Sequence, residues 1–230
     1  MSNLLAATSA FLLLHLLVSG TRARDAVTGA IGEGPYMGLF SLASIGLLVW
    51  LGLAFGGARS AAGNSVIWSS GHVARDVQLV LQLLAFLLVV PGLTTPNPTS
   101  VRQEAVLEKP DAIKGMLRIT RHPFLWGVAI WAAGHILVTG NTAALIFFGG
   151  LLLLALFGTA SIDAKRKRVL GDAWDAFAAR TSNLPFAAIL AGRQKLAVME
   201  IGWWRIVLAL VLYGVVLAIH GRAFGVSALP

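Results

Sequence analysis

Apolar runs separated by short polar breaks set the organisation of this chain. A membrane-spanning helix needs about 20 apolar residues, with roughly 17 as a working minimum. Six runs reach or approach that length: Leu4–Ser19, Met37–Phe55, Val77–Leu93, Pro123–Thr139, Thr142–Ile162 and Trp203–His220. The stretch from His122 to Ile162 holds no Asp, Glu, Lys or Arg, yet it is too long for one crossing. Gly140-Asn141 breaks it, which predicts a helical hairpin with a very tight turn. No Lys or Arg precedes the first run and no small-x-small pattern follows it, so it reads as a retained helix rather than a cleaved leader. Across 164–181, Val169, Leu170, Ala173, Trp174, Phe177 and Ala178 recur at helical spacing behind Lys165-Arg166-Lys167-Arg168. That pattern predicts an interfacial amphipathic helix beside anionic headgroups, or a stop-transfer charge run that continues the fifth helix, and the two can coexist. The expected fold is therefore all-α: one polytopic membrane helical bundle over residues 1–230, with about six transmembrane helices and a cytoplasmic interfacial helix.

Composition sharpens this picture. Of the 230 residues, 57% are hydrophobic and 12% are charged, against about 25% charged in soluble domains. A water-soluble domain is excluded on that ground. The net charge of +8 fits a basic surface facing lipid headgroups and gives no reason to expect nucleic acid. With six crossings, all of the 18 Lys and Arg except Arg59, Arg75 and Arg222 fall on one side. The positive-inside rule makes that side cytoplasmic and puts both termini outside. The chain has no cysteine, which excludes disulfides, thiolate metal sites, thiol catalysis and covalently attached haem.

Ionisable groups inside hydrocarbon tend to mark sites or pathways. The five histidines are His15, His72, His122, His135 and His220, and no two of them stand within a helical turn of one another. This excludes the paired-histidine helix of zinc hydrolases and the histidine boxes of di-iron enzymes. No carboxylate falls inside an apolar run, so none is expected to be buried, which argues against a carboxylate-bridged metal centre. Isolated imidazoles on separate helices suit axial ligation of haem, while a lone membrane histidine can equally serve as an interhelical hydrogen-bond partner. His15 lies on a narrow polar stripe with Thr8 and Ser19; His135 follows Trp131 by one turn; His72 and His220 sit at helix ends. At ~1.5 Å per residue, His15 and His135 should differ in depth by roughly 10–14 Å, which makes His72 a geometrical competitor for pairing with His135. Arg121-His122-Pro123 opens the fourth helix, with Pro123 at a favourable first position. Such a helix start can receive an anion or a lipid headgroup, or it can simply cap and snorkel.

Several segments together resemble the NnrU family. They are Arg118-Ile119-Thr120-Arg121-His122-Pro123, Trp131 with His135, Gly140-Asn141, the run from Arg180 through Asn183-Leu184-Pro185-Phe186 to Ile189, Gly192-Arg193-Gln194, and Glu200-Ile201-Gly202-Trp203-Trp204-Arg205. Gly34-Pro35-Tyr36, His72 to Arg75 and Phe224-Gly225-Val226 extend the resemblance over nearly the whole chain and favour the bacterial branch. The family includes the 15-cis-zeta-carotene isomerases of plants and cyanobacteria. The resemblance implies a polytopic protein of a bacterial cytoplasmic membrane. It further implies haem b held by a first-helix and a fourth-helix histidine, which match His15 and His135. His72, Arg121 and His122 are the further cofactor-binding candidates. In the isomerases a cysteine one turn before the fourth-helix histidine can exchange as a ligand; Ala132 occupies that position here.

The expected function is isomerase-like chemistry on a polyene, or an accessory role tied to nitrite and nitric oxide respiration. The partners to expect are membrane lipid and a hydrophobic small molecule or nitric oxide. Arg-His-Pro and the Gly-Asn hairpin also resemble isoprenylcysteine and phospholipid methyltransferases, which hold S-adenosylmethionine with a later pair of glutamates. Lys165-Arg166-Lys167-Arg168 stands in that stretch here, and cations cannot accept those hydrogen bonds. A cofactor-free structural bundle is the remaining alternative.

Overall fold

The computed structural model describes residues 1–229. Its elements, in chain order, begin with α1 (Ser2–Leu13), which runs directly into a π-helical turn at Leu14–Ser19, then α2 (Arg22–Ile31), α3 (Glu33–Arg59) and α4 (His72–Thr94). Single-turn α5 (Met116–Ile119) leads to α6 (Pro123–Val138) and α7 (Thr142–Leu170). After these come α8 (Asp172–Arg180), single-turn α9 (Ala187–Leu190) and α10 (Trp203–Phe224). Short 3₁₀ turns at Glu104–Glu108 and Val198–Ile201 complete the list. No strand forms among the described residues, only an isolated bridge between Val66 and Asn141.

Among the described residues, five helical segments are long and apolar enough to cross a membrane: Ser2–Ser19, Glu33–Arg59, His72–Thr94, Thr142–Leu170 and Trp203–Phe224. The sixth expected span, α6, stops at Val138 and at ~1.5 Å per residue measures only about 24 Å. It packs against α4 on one flank and α7 on the other, so its short length is covered by protein. The neighbours run α10, α4, α6, α7, α1, with α3 touching both α1 and α7. Small residues bring backbones together along this series, as membrane helices require when lipid removes any hydrophobic drive between them. A Cβ at Gly127 would overlap Val89 and the Ala85 carbonyl of α4, one at Gly134 would overlap Gln78 and Gln82, and one at Gly150 would overlap Thr8 of α1. The outer faces of α3 and α10 expose Leu39, Leu42, Ile45, Leu53, Leu210 and Val211, as lipid-facing surfaces do.

The Gly140-Asn141 hairpin forms as the pattern predicts. Asn141 caps α7 by accepting from the Ala144 amide at 2.9 Å. The segment 60–71 straps the turn from outside and supplies partners for the orphan groups of both helix ends. Ile67 N donates to the Gly140 carbonyl at 2.7 Å, Trp68 Nε1 to Leu137 O at 3.2 Å, and Ser70 Oγ to Val138 O at 3.1 Å. Asn64 Oδ1 accepts from Ala143 N at 3.0 Å. Of the two readings of the 164–181 stretch, the charge run continuing the preceding helix is realised, while the single amphipathic helix is broken at Gly171. α7 carries the charge run through to Leu170, and Gly171 (φ +52°) turns the chain into the short α8. α8 buries Trp174 and Phe177 against Ile113 and Leu117. One helix escaped the sequence pattern: α2, which lies inside the stretch read as a polar loop, with Thr21 as its N-cap.

Candidate functional site

The motif-bearing segments meet at the basic end of the bundle. Arg121 N donates to Ser182 O, and Phe186 N to Ile119 O, at 2.9 and 2.8 Å. Thr120 Oγ1 donates to Asn183 O at 2.5 Å, and the Trp126 indole donates to the same carbonyl at 2.8 Å. Asn97 and Thr99 both donate to the Arg121 carbonyl, at 2.9 and 3.1 Å. Two short segments some 60 residues apart are thus sewn together by their own polar atoms.

At the centre of this seam is Asp163. Arg121 reaches it through Nε at 2.9 Å and through Nη2 at 2.5 Å. His122 Nε2 lies 2.7 Å from Oδ1, and Asn183 Nδ2 lies 3.4 Å from Oδ2. The Arg121 guanidinium also lies 5.9 Å from the Trp174 ring centre, a cation–π contact. His122 is only 2% exposed. Burial pushes its imidazole below the ordinary histidine pKa, with Asp163 acting in the opposite direction; facing a carboxylate, Nε2 donates the hydrogen of that bond. Asp163 is partly enclosed although it follows the apolar run. The Asp163 side chain is 18% exposed, because α7 continues past it to Leu170 and carries it against the Arg-His pair. Arg121 and His122 are consequently committed to this network.

His15 and His135 lie in two aromatic clusters. His135 Nδ1 bonds the Trp131 carbonyl at 2.8 Å. Its ring stacks on Phe148 at 4.6 Å between centres and leans on Trp131 at 4.9 Å; Phe55 and Phe147 complete the group. His15 Nδ1 bonds the Phe11 carbonyl at 2.9 Å, with its ring 4.3 Å from Phe11 and 5.3 Å from Phe40. It lies in the π-helical turn, a departure from α geometry that often accompanies functional sites. In both residues the bond to the carbonyl four residues back holds the hydrogen on Nδ1 and leaves Nε2 without a hydrogen-bond partner among the described residues. That is the tautomer an imidazole needs to ligate a metal through Nε2. Thr8 packs on Gly150 and Gly20 on Ser161, so His15 stands near the level of residue 156 of α7, while His135 stacks on Phe148. Eight helical residues correspond to roughly 12 Å of depth, within the offset expected from the sequence.

The remaining candidates lie elsewhere. His72 is exposed at the start of α4, at the end opposite the Arg121 network. His220 bonds the Val226 carbonyl at 2.7 Å. Among the described residues no three of His, Asp and Glu group as a metal site. The sequence reading missed two amides. Gln82 Nε2 donates at 3.3 Å to the same Trp131 carbonyl that His135 uses. Gln78 is buried against Gly134 with its Oε1 unpartnered. Their spacing of four residues on the otherwise apolar face of α4 was the available signal.

A model of the NnrU protein family matches residues 3–228. The chain belongs to the NnrU family. Two NnrU relatives are both described as chloroplastic 15-cis-zeta-carotene isomerase. The one from Zea mays is 38% identical over 104 residues, and the one from Arabidopsis thaliana is 36% identical over 104 residues. In each case the match takes in 44% of this chain and 28% of the relative, so this NnrU protein corresponds to well under a third of either isomerase. No solved structure matches it.

Proposed function

We propose that this chain is a haem b-binding protein of a bacterial cytoplasmic membrane, with isomerase-like action on a hydrophobic polyene. The observation that carries the reading is the pair of isolated imidazoles, His15 and His135, each with Nδ1 fixed on a carbonyl and Nε2 free. The similarity to named carotene isomerases supports the polyene. The donor chemistry of the two residues fits axial ligation. Bound haem would supply a ferrous iron able to assist rotation about a polyene double bond or to bind nitric oxide. The chain's own residues orient the two rings, and the Phe55, Trp131, Phe147 and Phe148 cluster keeps water from His135. Gln82 steadies the turn that carries His135 through their shared carbonyl. The charge asymmetry supports cytoplasmic placement of the basic end and periplasmic termini, testable by alkaline phosphatase fused to either terminus.

A second reading, an accessory or sensor role in nitrite and nitric oxide respiration, is favoured by one observation. Ala132, fully buried one turn before His135, offers no exchangeable thiol. The deciding experiment is an absorption spectrum of the purified protein, oxidised and reduced. A Soret band with sharp bands on reduction, lost in His135→Ala and altered in His15→Ala, supports the haem. A colourless preparation from haem-replete cells that takes up no added haemin refutes it. Rescue of a carotenoid strain stalled at the 15-cis intermediate then separates isomerase from accessory protein.

A further inference from the structure

At the basic end, on a different flank from the Arg121 network, lies a cavity of about 680 Å³. Four cations and two carboxylates converge on it from four segments: Arg24 of α2, Glu33 of α3, Arg102 and Glu104 of the loop before α5, and Lys165 and Arg166 of α7. The carboxylates each hold one cation. Arg24 Nη2 pairs with Glu33 at 2.5 Å. Arg166 pairs with Glu104 and also donates to the Ser100 carbonyl at 2.6 Å. Lys165 and Arg102 have no hydrogen-bond or ion-pair partner among the described residues, although Lys165 is half-buried. Arg102 also takes a left-handed backbone conformation, φ +57°, which a residue with a Cβ seldom adopts. Two positive charges with no direct ion-pair partner therefore face a concavity whose low-dielectric walls concentrate their field, with Glu104 and Asp25 acting on Lys165 only from a distance.

Size and depth narrow the occupant. The volume falls in the range of small-molecule sites, about 300–1,000 Å³, and far exceeds one phosphate group. Lys165 is three residues beyond Ile162, the last residue of the charge-free stretch, so the cavity mouth sits about 5 Å along α7 from the edge of the hydrocarbon. The exposed Leu39 and Leu42 continue α3 from Glu33 into that hydrocarbon. A phosphodiester at the cavity with apolar chains beside α3 satisfies both surroundings.

We propose that this cavity binds one anionic phospholipid through its headgroup phosphate, with Lys165 and Arg102 as the phosphate ligands. Arg24 and Arg166, already neutralised by their carboxylates, shape the walls. The site does not depend on haem, so colourless protein tests it equally well.

The experiment is native mass spectrometry of the purified full-length protein titrated with dioleoyl phosphatidylglycerol, dioleoyl phosphatidylcholine or inorganic phosphate. The expected result is a one-to-one phosphatidylglycerol adduct that neither phosphatidylcholine nor phosphate reproduces. Removing both free cations in Arg102→Ala/Lys165→Ala should weaken that adduct about tenfold or more, since each juxtamembrane cation adds about one factor of five. Arg75→Ala/Arg222→Ala, at the opposite end, should leave it unchanged. Unaltered phosphatidylglycerol retention in the first double variant overturns the proposal, and so does equal retention of phosphatidylcholine. Inorganic phosphate that displaces the lipid at millimolar concentration overturns the lipid as the source. Arg102→Gln and Lys165→Gln singly, checked for an unchanged melting temperature, keep the result readable if the double variant does not fold.

Discussion

Asp163 and Lys165 lie two residues apart on α7, and the polar groups around them behave in opposite ways. Around Asp163 both carboxylate oxygens, the Arg121 fork, the His122 ring and the Asn183 amide all face one another. Around Lys165 two cations face an open concavity with no partner. Charge alone does not distinguish the two clusters, because cations and carboxylates stand side by side in both. Hydrogen-bond satisfaction does. A closed network locks chain segments together, and an open one holds affinity in reserve for something that arrives later. The motif residues Thr120, Arg121, His122 and Asn183 fall in the closed cluster, so their first duty is to hold the fold.

The comparison breaks most forcefully at Asp163. Asp163→Ala leaves the buried His122 and the partly buried Arg121 without their acceptor, and loss of one partner from such a network costs up to about 3–5 kcal/mol. Thermal unfolding in detergent should show a large fall in melting temperature; an unchanged value would mean that the network does not hold the fold. A smaller effect concerns pH. Because burial depresses His122, the unfolded chain takes up that proton first, so its contribution is intact above the ordinary histidine value of 6.5 and is lost as pH falls through the lower folded-state value. The slope of stability against pH below 6.5 should flatten in His122→Gln. Trp126→Phe removes one donor from the Asn183 carbonyl, which Thr120 still serves; about 0.5–1.5 kcal/mol should be lost, read from the same melts. Lys165→Ala sits at the far end of the scale. It should change stability by no more than about 0.5 kcal/mol, and a drop as large as that of Asp163→Ala would erase the distinction between the clusters.

Those features that depend on local pattern were legible in the sequence. The apolar runs, the Gly140-Asn141 break and the charge run ending α7 follow from residues adjacent in the chain, and the helices begin and end close to where those residues place them. α2 was hidden because a short helix among polar loop residues has no long apolar run to betray it. Asp163 was hidden for a different reason. It is the first charge after a long apolar stretch, a position that reads as solvated, and its partners lie 20, 41 and 42 residues away. Likewise, Gln78 and Gln82 are visible as the amides of an apolar helix, but only the packing of α4 on α6 brings them to the His135 turn. The polar cavity draws on four separate segments, a convergence that no single stretch of sequence records.

The π-helical turn at Leu14–Ser19 is in effect an insertion of one residue at the end of α1. Deleting one residue there would let the helix relax to ordinary winding with the chain beyond it held in register, Gly20 still seated on Ser161. The first helix thus holds its own spare register, and the residue placed at that point of slack is His15.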